Sequence, residues 1–196
     1  MSVMREGNTE TALCLDSPVI STERLVLRPP HEHDAEELAF LANNIKIARM
    51  LAHMPHPYTI GDAEKFIRTA QKDSGRACTY SITEADSGKL IGIGSLHYID
   101  TDPIPHMGYW IGEPYWGNGY ATEAARALVD LYFKVTNEPT LKMSARVTNE
   151  ASKKVIRKCG GRRISTIEAM HPLLGEIQQL DDFEITRERW MGEIAA

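Results

Sequence analysis

The chain has 196 residues, 42% of them hydrophobic and 25% charged. That is ordinary globular composition, and it excludes a disordered or fibrous chain. A net charge of −5 argues against general nucleic-acid or anionic-membrane binding, and no apolar run approaches the roughly 18 residues of a membrane span.

Residues 1 to about 20 show weak patterning and read as a loosely ordered arm ahead of a single domain over 21–196. Glu6 and Glu10 break any basic-then-apolar leader pattern. Arg24 to Arg28 alternates and predicts a strand, stopped by Pro29 and Pro30. Asp34 to Asn43, Ile45 to Leu51 and Gly61 to about Lys72 predict helices. Cys78 to Thr83 and Leu90 to Ile99 predict strands joined by the turn Asp86-Ser-Gly88, with a third strand from about His106 to Ile111. Ala121, Ala125, Leu128, Tyr132 and Val135 fall on one helical face, ended by Asn137 and Pro139. Leu141 to Val147 alternates as a strand. Asn149 then caps a helix carrying Val155 and Ile156, closed by Gly160 and Gly161. Arg163 to Glu168 and Ile177 to Thr186 supply two final strands. The order predicts a mixed α/β domain, with antiparallel hairpins first and a βα crossover later.

Charge is unevenly spread. Asn149 to Arg163 holds Lys153, Lys154, Arg157, Lys158, Arg162 and Arg163 against Glu150, a net +5, so the other 181 residues carry −10. A local basic patch on an acidic chain points to one anionic ligand. Cys14, Cys78 and Cys159 are odd in number and far apart. They read as neither a disulfide framework nor a CxxC pair, which fits a reducing cytoplasm.

Strand, glycine-rich turn and helix together make a phosphate-binding arrangement, because the first helical amides lack intrahelical partners and carry partial positive charge. The turn here is Tyr115-Trp-Gly-Asn-Gly-Tyr-Ala121. The sixth place of a dinucleotide fingerprint counted from Gly117 is Thr122, and no Gly-Lys-Ser/Thr occurs, so neither common nucleotide loop applies. A glycine turn without a ligand remains the alternative.

Trp116-Gly-Asn-Gly119-Tyr-Ala121 resembles the R/Q-x-x-G-x-G/A loop of the GNAT superfamily of acetyl-CoA-dependent N-acetyltransferases. Thr22 to Arg28, Gly108-Tyr-Trp-Ile111, Tyr115 to Ala124, Asn149-Glu-Ala-Ser152 and Ile185 to Trp190 resemble the Rim-type branch, which acetylates ribosomal-protein N-termini. The resemblance covers about Thr22 to Trp190. It implies a mixed, mostly antiparallel sheet of about seven strands flanked by helices. It implies that the amides of Gly117, Asn118, Gly119 and Ala121 hold the CoA pyrophosphate. The backbone of Tyr109 to Ile111 would pair with the pantetheine arm, which Asn149 contacts. Trp110, Trp116, Tyr120, Thr122, Ser152 and Lys158 complete the implied cofactor site, with the basic helix near the adenosine phosphate. No metal is implied.

The implied reaction is direct attack of a primary amine on the thioester in a ternary complex, the amine being a protein N-terminus or a small amine. A backbone N–H near Ile111 would stabilise the oxyanion. Where many relatives place an acidic Tyr, seven residues after the capping Asn, this chain has Ile156. Ser152, three residues after it, is the candidate that hydrogen-bonds the departing thiolate. His106 stands where the branch often has Glu and is the candidate base, with His97 and Glu84 as weaker ones. These departures leave two rivals: a catalytically silent CoA-binding sensor, or an enzyme using another acyl-CoA. His31-x-His33 and His53-x-x-His56 have ligand-like spacing but no third ligand, and read as surface histidines. The acceptor pocket is expected from Ile45–Tyr58 and Met170–Leu174. A cytoplasmic protein, monomeric or homodimeric, with no nucleic-acid or membrane partner, completes the expectation.

Overall fold

The computed structural model describes residues 17–72, 77–99 and 102–194. The expected N-terminal arm therefore lies largely outside the described residues. In chain order the elements are β1 (Ile20–Ser21), β2 (Leu25–Arg28), α1 (Ala35–Ala42), α2 (Ile45–Ala48), α3 (Ile60–Lys72), β3 (Ala77–Glu84), β4 (Leu90–Ile99) and β5 (Asp102–Ile111). Then follow α4 (Tyr120–Val135), β6 (Thr140–Arg146), α5 (Glu150–Lys158), β7 (Arg162–His171), β8 (Glu176–Thr186) and α6 (Arg187–Ile194).

One eight-stranded sheet runs β1-β2-β3-β4-β5-β6-β8-β7, and every pairing but β5–β6 is antiparallel. The fold class matches the expectation, with two elements added. β1 is a two-residue addition at the sheet edge. α6 lacks a strong apolar stripe and is held instead by Trp190, whose indole donates to Asp130 and stacks on Phe133. β5 starts four residues earlier than predicted, because Pro105 is tolerated there. His106 opposes His97 and Trp110 opposes Ile93, so the odd-numbered positions of β5 turn their backbone groups away from β4. A missing N–H at Pro105 costs that ladder nothing.

The core lies between the sheet and α4. Ala124, Ala125, Leu128, Val129, Tyr132 and Phe133 are buried along the helix. The predicted face overshoots by one turn, since Val135 is 52% exposed. The helix sits close because β4 carries glycine where it crosses. A Cβ at Gly94 would lie 2.7 Å from Leu128 Cδ1. A second, smaller core packs α1 and α3 on the opposite face, through Leu38, Ile67 and Ile93. Cys78, buried in β3, is disulfide-bonded. That corrects the reading of the cysteines as unbridged, since an odd number of widely spaced cysteines still allows one bridge.

One feature of the sheet positions everything else. β6 pairs with β8 along its whole length, and β5 pairs with β4, but β5 and β6 share only the pair His106–Lys142. Beyond it the two strands separate. Asp102 clamps the junction: its Oδ2 accepts from Lys142 Nζ at 2.6 Å and from His106 Nε2 at 3.1 Å, and its Oδ1 accepts from the Ile104 amide. Burial alone would raise the Asp102 carboxyl, but these donors outweigh it and hold it at about 2.

A carboxyl lowered from 3.8 to about 2 contributes stability that is full above 3.8 and lost as pH falls toward 2. The linkage is about 2 kcal/mol. We therefore expect the stability gap between wild type and Asp102→Asn, measured by urea unfolding, to narrow by about 2 kcal/mol between neutral pH and about pH 2. A constant gap would show that the clamp does not titrate with folding.

Candidate active site

The divergence of β5 from β6 leaves the backbone of Tyr109 and Ile111 without a strand partner. Gly112 N donates to Ile91 O at 2.8 Å, which fixes the alternation. The N–H and C=O groups of Tyr109 and Ile111 point away from β4, into the gap. The Ile111 carbonyl is taken by Trp116 Nε1 at 2.6 Å. The Ile111 N–H and both backbone groups of Tyr109 then face a cavity of about 600 Å³. β5 forms one wall and Met143 to Ala145 of β6 the other. Gly117, Gly119, Tyr120, Ala121 and Thr122 close one end, with Asn149, Ser152, Lys154, Val155 and Ile156 beside them.

The loop end suits an anion. Gly117 and Gly119 have φ of 80° and 84°, the left-handed region that glycine enters without strain. Nothing stands within 4 Å of where a Gly117 Cβ would be. Gly119 is the N-cap of α4, a helix of 16 residues, and no side chain caps it. Its first amides open onto the cavity with the positive end of the helix dipole behind them. Arg24 braces the loop from outside. Its guanidinium donates to Asn118 O at 2.9 Å and to Glu123 Oε2 at 2.8 Å, and lies 4.8 Å from the Tyr120 ring centre. Burial pushes the Glu123 carboxyl up, but hydrogen bonds from Thr22 and Arg24 bring it below its ordinary value. That acid in the first turn is therefore occupied, and the brace was not visible as a motif.

On the other side, Asn149 Oδ1 accepts from Ser152 N at 3.0 Å, as the cap assignment predicts. Ser152 Oγ lies 3.1 Å from Tyr109 Oη. Burial pushes the Tyr109 phenol up to about 12. Ile156 is buried, and Gly161 packs against it so tightly that a Cβ there would sit 2.4 Å from Ile156 Cγ2. A larger residue at position 161 has no room.

The predicted basic patch is partly dismantled by folding. Lys153 is 5% exposed and spends its charge on Val147 O, Glu150 and Asp181, while Arg163 pairs with Asp181. Lys154 lines the cavity; Lys158, at the far end of α5, does not. Asn118 is also outside the wall, its amide folded onto Tyr115 O and Trp116 O. Tyr109, Trp110, Ile111, Trp116, Gly117, Gly119, Tyr120, Ala121, Thr122, Asn149 and Ser152 do line it. His106 does not. It is 9% exposed, and its Nε2 faces Asp102 in the junction clamp. His97 beside it is half-buried, and desolvation lowers its pKa, with His106 adding to the effect. Glu84 accepts from Tyr120 Oη, outside the wall. α2 and the turn after it supply Lys46, Ile47, Met50 and Leu51 to the wall. Met170 to Leu174 stay out of the wall, although the adjacent hairpin docks on α2 through His171 Nε2 and Arg49 O at 3.0 Å. Among the described residues no three metal-ligating side chains come together, and no helix is long and apolar enough to cross a membrane.

A family model described as an acetyltransferase (GNAT) domain matches residues 24–162. The chain belongs to the GNAT family of N-acetyltransferases. YoaA of Bacillus subtilis, named an uncharacterized N-acetyltransferase, is 27% identical over 73% of this chain and 82% of its own. The fold is shared with Mycobacterium smegmatis RimJ in complex with CoA-disulfide, at TM-score 0.75 and 17% identity over 87% and 88% of the two chains. It is also shared with Vibrio cholerae spermidine N-acetyltransferase in complex with CoA and spermine, at TM-score 0.73 and 19% identity over 87% and 99%. The GNAT match spans the brace, the glycine loop and all of α5, so the open β5 edge and the uncapped α4 end lie within it.

Holding the left-handed conformation of residue 119 would cost an alanine about 1–2 kcal/mol and favour a loop displaced from the α4 end. Gly119→Ala is expected to weaken CoA binding roughly tenfold by calorimetric titration. Unchanged affinity would show that the α4 end does not hold the ligand.

Proposed function

We propose that this enzyme transfers an acetyl group from acetyl-CoA to an α-amino group, such as the N-terminus of a protein or peptide. The observation that carries the acceptor class is the charge of the cavity wall. Among the described residues the wall contains Lys46 and Lys154 and no carboxylate. A polycationic amine would enter a site without counter-charge. An α-amino group, with an ordinary pKa near 8, is roughly one-tenth neutral at pH 7, against less than about one part in a thousand for a lysine-like amine. An acceptor that arrives partly neutral does not require a carboxylate base in the wall. The apolar residues Ile47, Met50, Leu51, Met107 and Trp110 offer burial to the first side chain of such a peptide.

Acetyl-CoA is the substrate this cavity fits. The uncapped amides of α4 suit its pyrophosphate, and the unpaired edge at Tyr109 and Ile111 suits its amide-bearing arm. The Ile111 N–H, directed into the gap, is assigned to the oxyanion. Ser152 is assigned to the departing sulfur. His106 is assigned as proton acceptor only through water, since its ring stands behind the strand rather than in the wall.

Thiol release measured across acyl-CoA donors and acceptors tests this reading. Acetyl-CoA with N-terminal peptides should exceed spermine and lysine analogues. Equal or greater activity with polyamines would overturn the acceptor class, and CoA binding without turnover throughout would favour a sensor. Ser152→Ala is expected to lower kcat about tenfold with little change in the KM for acetyl-CoA. His106→Ala is expected to lower kcat at least roughly tenfold, and an unchanged kcat removes His106 from the proton path.

A further inference from the structure

The wall contains a hydroxyl pair that the loop, the capping Asn and the family pattern do not account for. Tyr109 was expected to act through its backbone alone. Its side chain instead crosses to α5, where Oη meets Ser152 Oγ at 3.1 Å. Both residues line the cavity, and the ring packs against the main core. Ser152 is fixed at the backbone by Asn149 Oδ1. Its remaining freedom is the rotation of its hydroxyl proton.

We propose that Tyr109 is a positioning residue for thiolate departure: its phenol donates to Ser152 Oγ and thereby turns the serine's own proton toward the sulfur of the thioester. This rests on the assignment of Ser152 above and names what makes that serine competent. The phenol is the more acidic of the two hydroxyls, so it is the better donor of the pair. Burial holds it protonated far above neutral pH, so it acts by donating a hydrogen bond and not by surrendering its proton. Two hydroxyls in series polarise each other, which strengthens the second bond toward a developing negative charge. Ile156, at the position where many relatives carry a Tyr, offers the sulfur no donor, and Tyr109 reaches the same wall from the opposite strand.

The step balances without a net change in either hydroxyl. A carbon–nitrogen bond forms from the amine to the acyl carbon, and the carbon–sulfur bond breaks with its electron pair kept by sulfur. The proton lost from nitrogen leaves through water and matches the proton that finally neutralises the thiolate. Tyr109 and Ser152 begin and end the cycle as hydroxyls.

The test is a double-mutant cycle of Tyr109→Phe and Ser152→Ala, using acetyl-CoA and the best amine from the acceptor panel. Tyr109→Phe keeps the ring and its packing. It is expected to lower kcat about tenfold while the KM for acetyl-CoA stays within about twofold. In the Ser152→Ala background the same change should cost nothing further, because the chain is already broken. A second readout needs no acceptor: the thiolate ultraviolet absorbance of the CoA complex, titrated against pH. The bound thiol should ionise at lower pH in wild type than in Tyr109→Phe. Wild-type kcat in Tyr109→Phe, losses that multiply in the double variant, or an unchanged thiol titration would each overturn the proposal. If wild type releases no thiol with any amine, the acetyl-transfer reading fails, and the titration still decides the hydroxyl chain. Absence of CoA binding overturns both.

Discussion

The site exists because two adjacent strands pair once and then part. β5 and β6 meet at His106 and Lys142, with Asp102 accepting from both side chains. On its outer side β6 pairs with β8 along its whole length, and β5 pairs with β4 from His106 to Ile111. The cost of leaving the inner edge of β5 unpaired is therefore not spread through the sheet. It is confined to the backbone of Tyr109 and Ile111, which the fold leaves facing a cavity instead of water-filled surface. An edge that must find hydrogen bonds, next to a helix end that must find an anion, is a site specified by what the protein has not satisfied internally.

The rest of the architecture keeps that opening from closing. Trp116 takes the Ile111 carbonyl and ties the end of β5 to the glycine loop. Arg24 reaches from the β1–β2 connection to hold Asn118 and Glu123, so the loop is braced on the side away from the ligand. Gly94 lets α4 settle onto β4, which sets where the helix N-terminus points. The Arg24 contacts join segments about a hundred residues apart in sequence.

Local signals account for what was legible from sequence. The glycine loop, the capping Asn149 and the alternation of β3, β4, β6 and β8 each depend on neighbours within a few residues, and each lies where its pattern places it. What escaped depends on long-range geometry. The start of β5 was hidden by Pro103 and Pro105, whose acceptability depends on which side of the strand faces a partner. His106 was a base candidate from its position in a motif, but which way its ring turns is set by Asp102 four residues earlier and Lys142 on another strand. The Tyr109–Ser152 pair joins two elements with a crossover between them, and neither residue type announces it.

The charge arithmetic shows most clearly how folding redistributes what the sequence counts. The +5 window suggested a basic surface for phosphates. In the fold, Lys153 turns inward and Asp181, from outside the window, claims both Lys153 and Arg163. What the cavity offers an anion is then less side-chain charge than backbone amides, which carry no titratable proton and cannot be neutralised by a neighbouring acid. Lys46 and Lys154 remain in the wall, with Lys46 paired to Glu113. Under the proposed function, such a cavity would take the anionic donor at its amide-lined end, and its wall offers no carboxylate to an ammonium at the other. That reading relies on an acceptor that arrives partly neutral and on hydroxyl donors at the leaving sulfur, and not on a strong base.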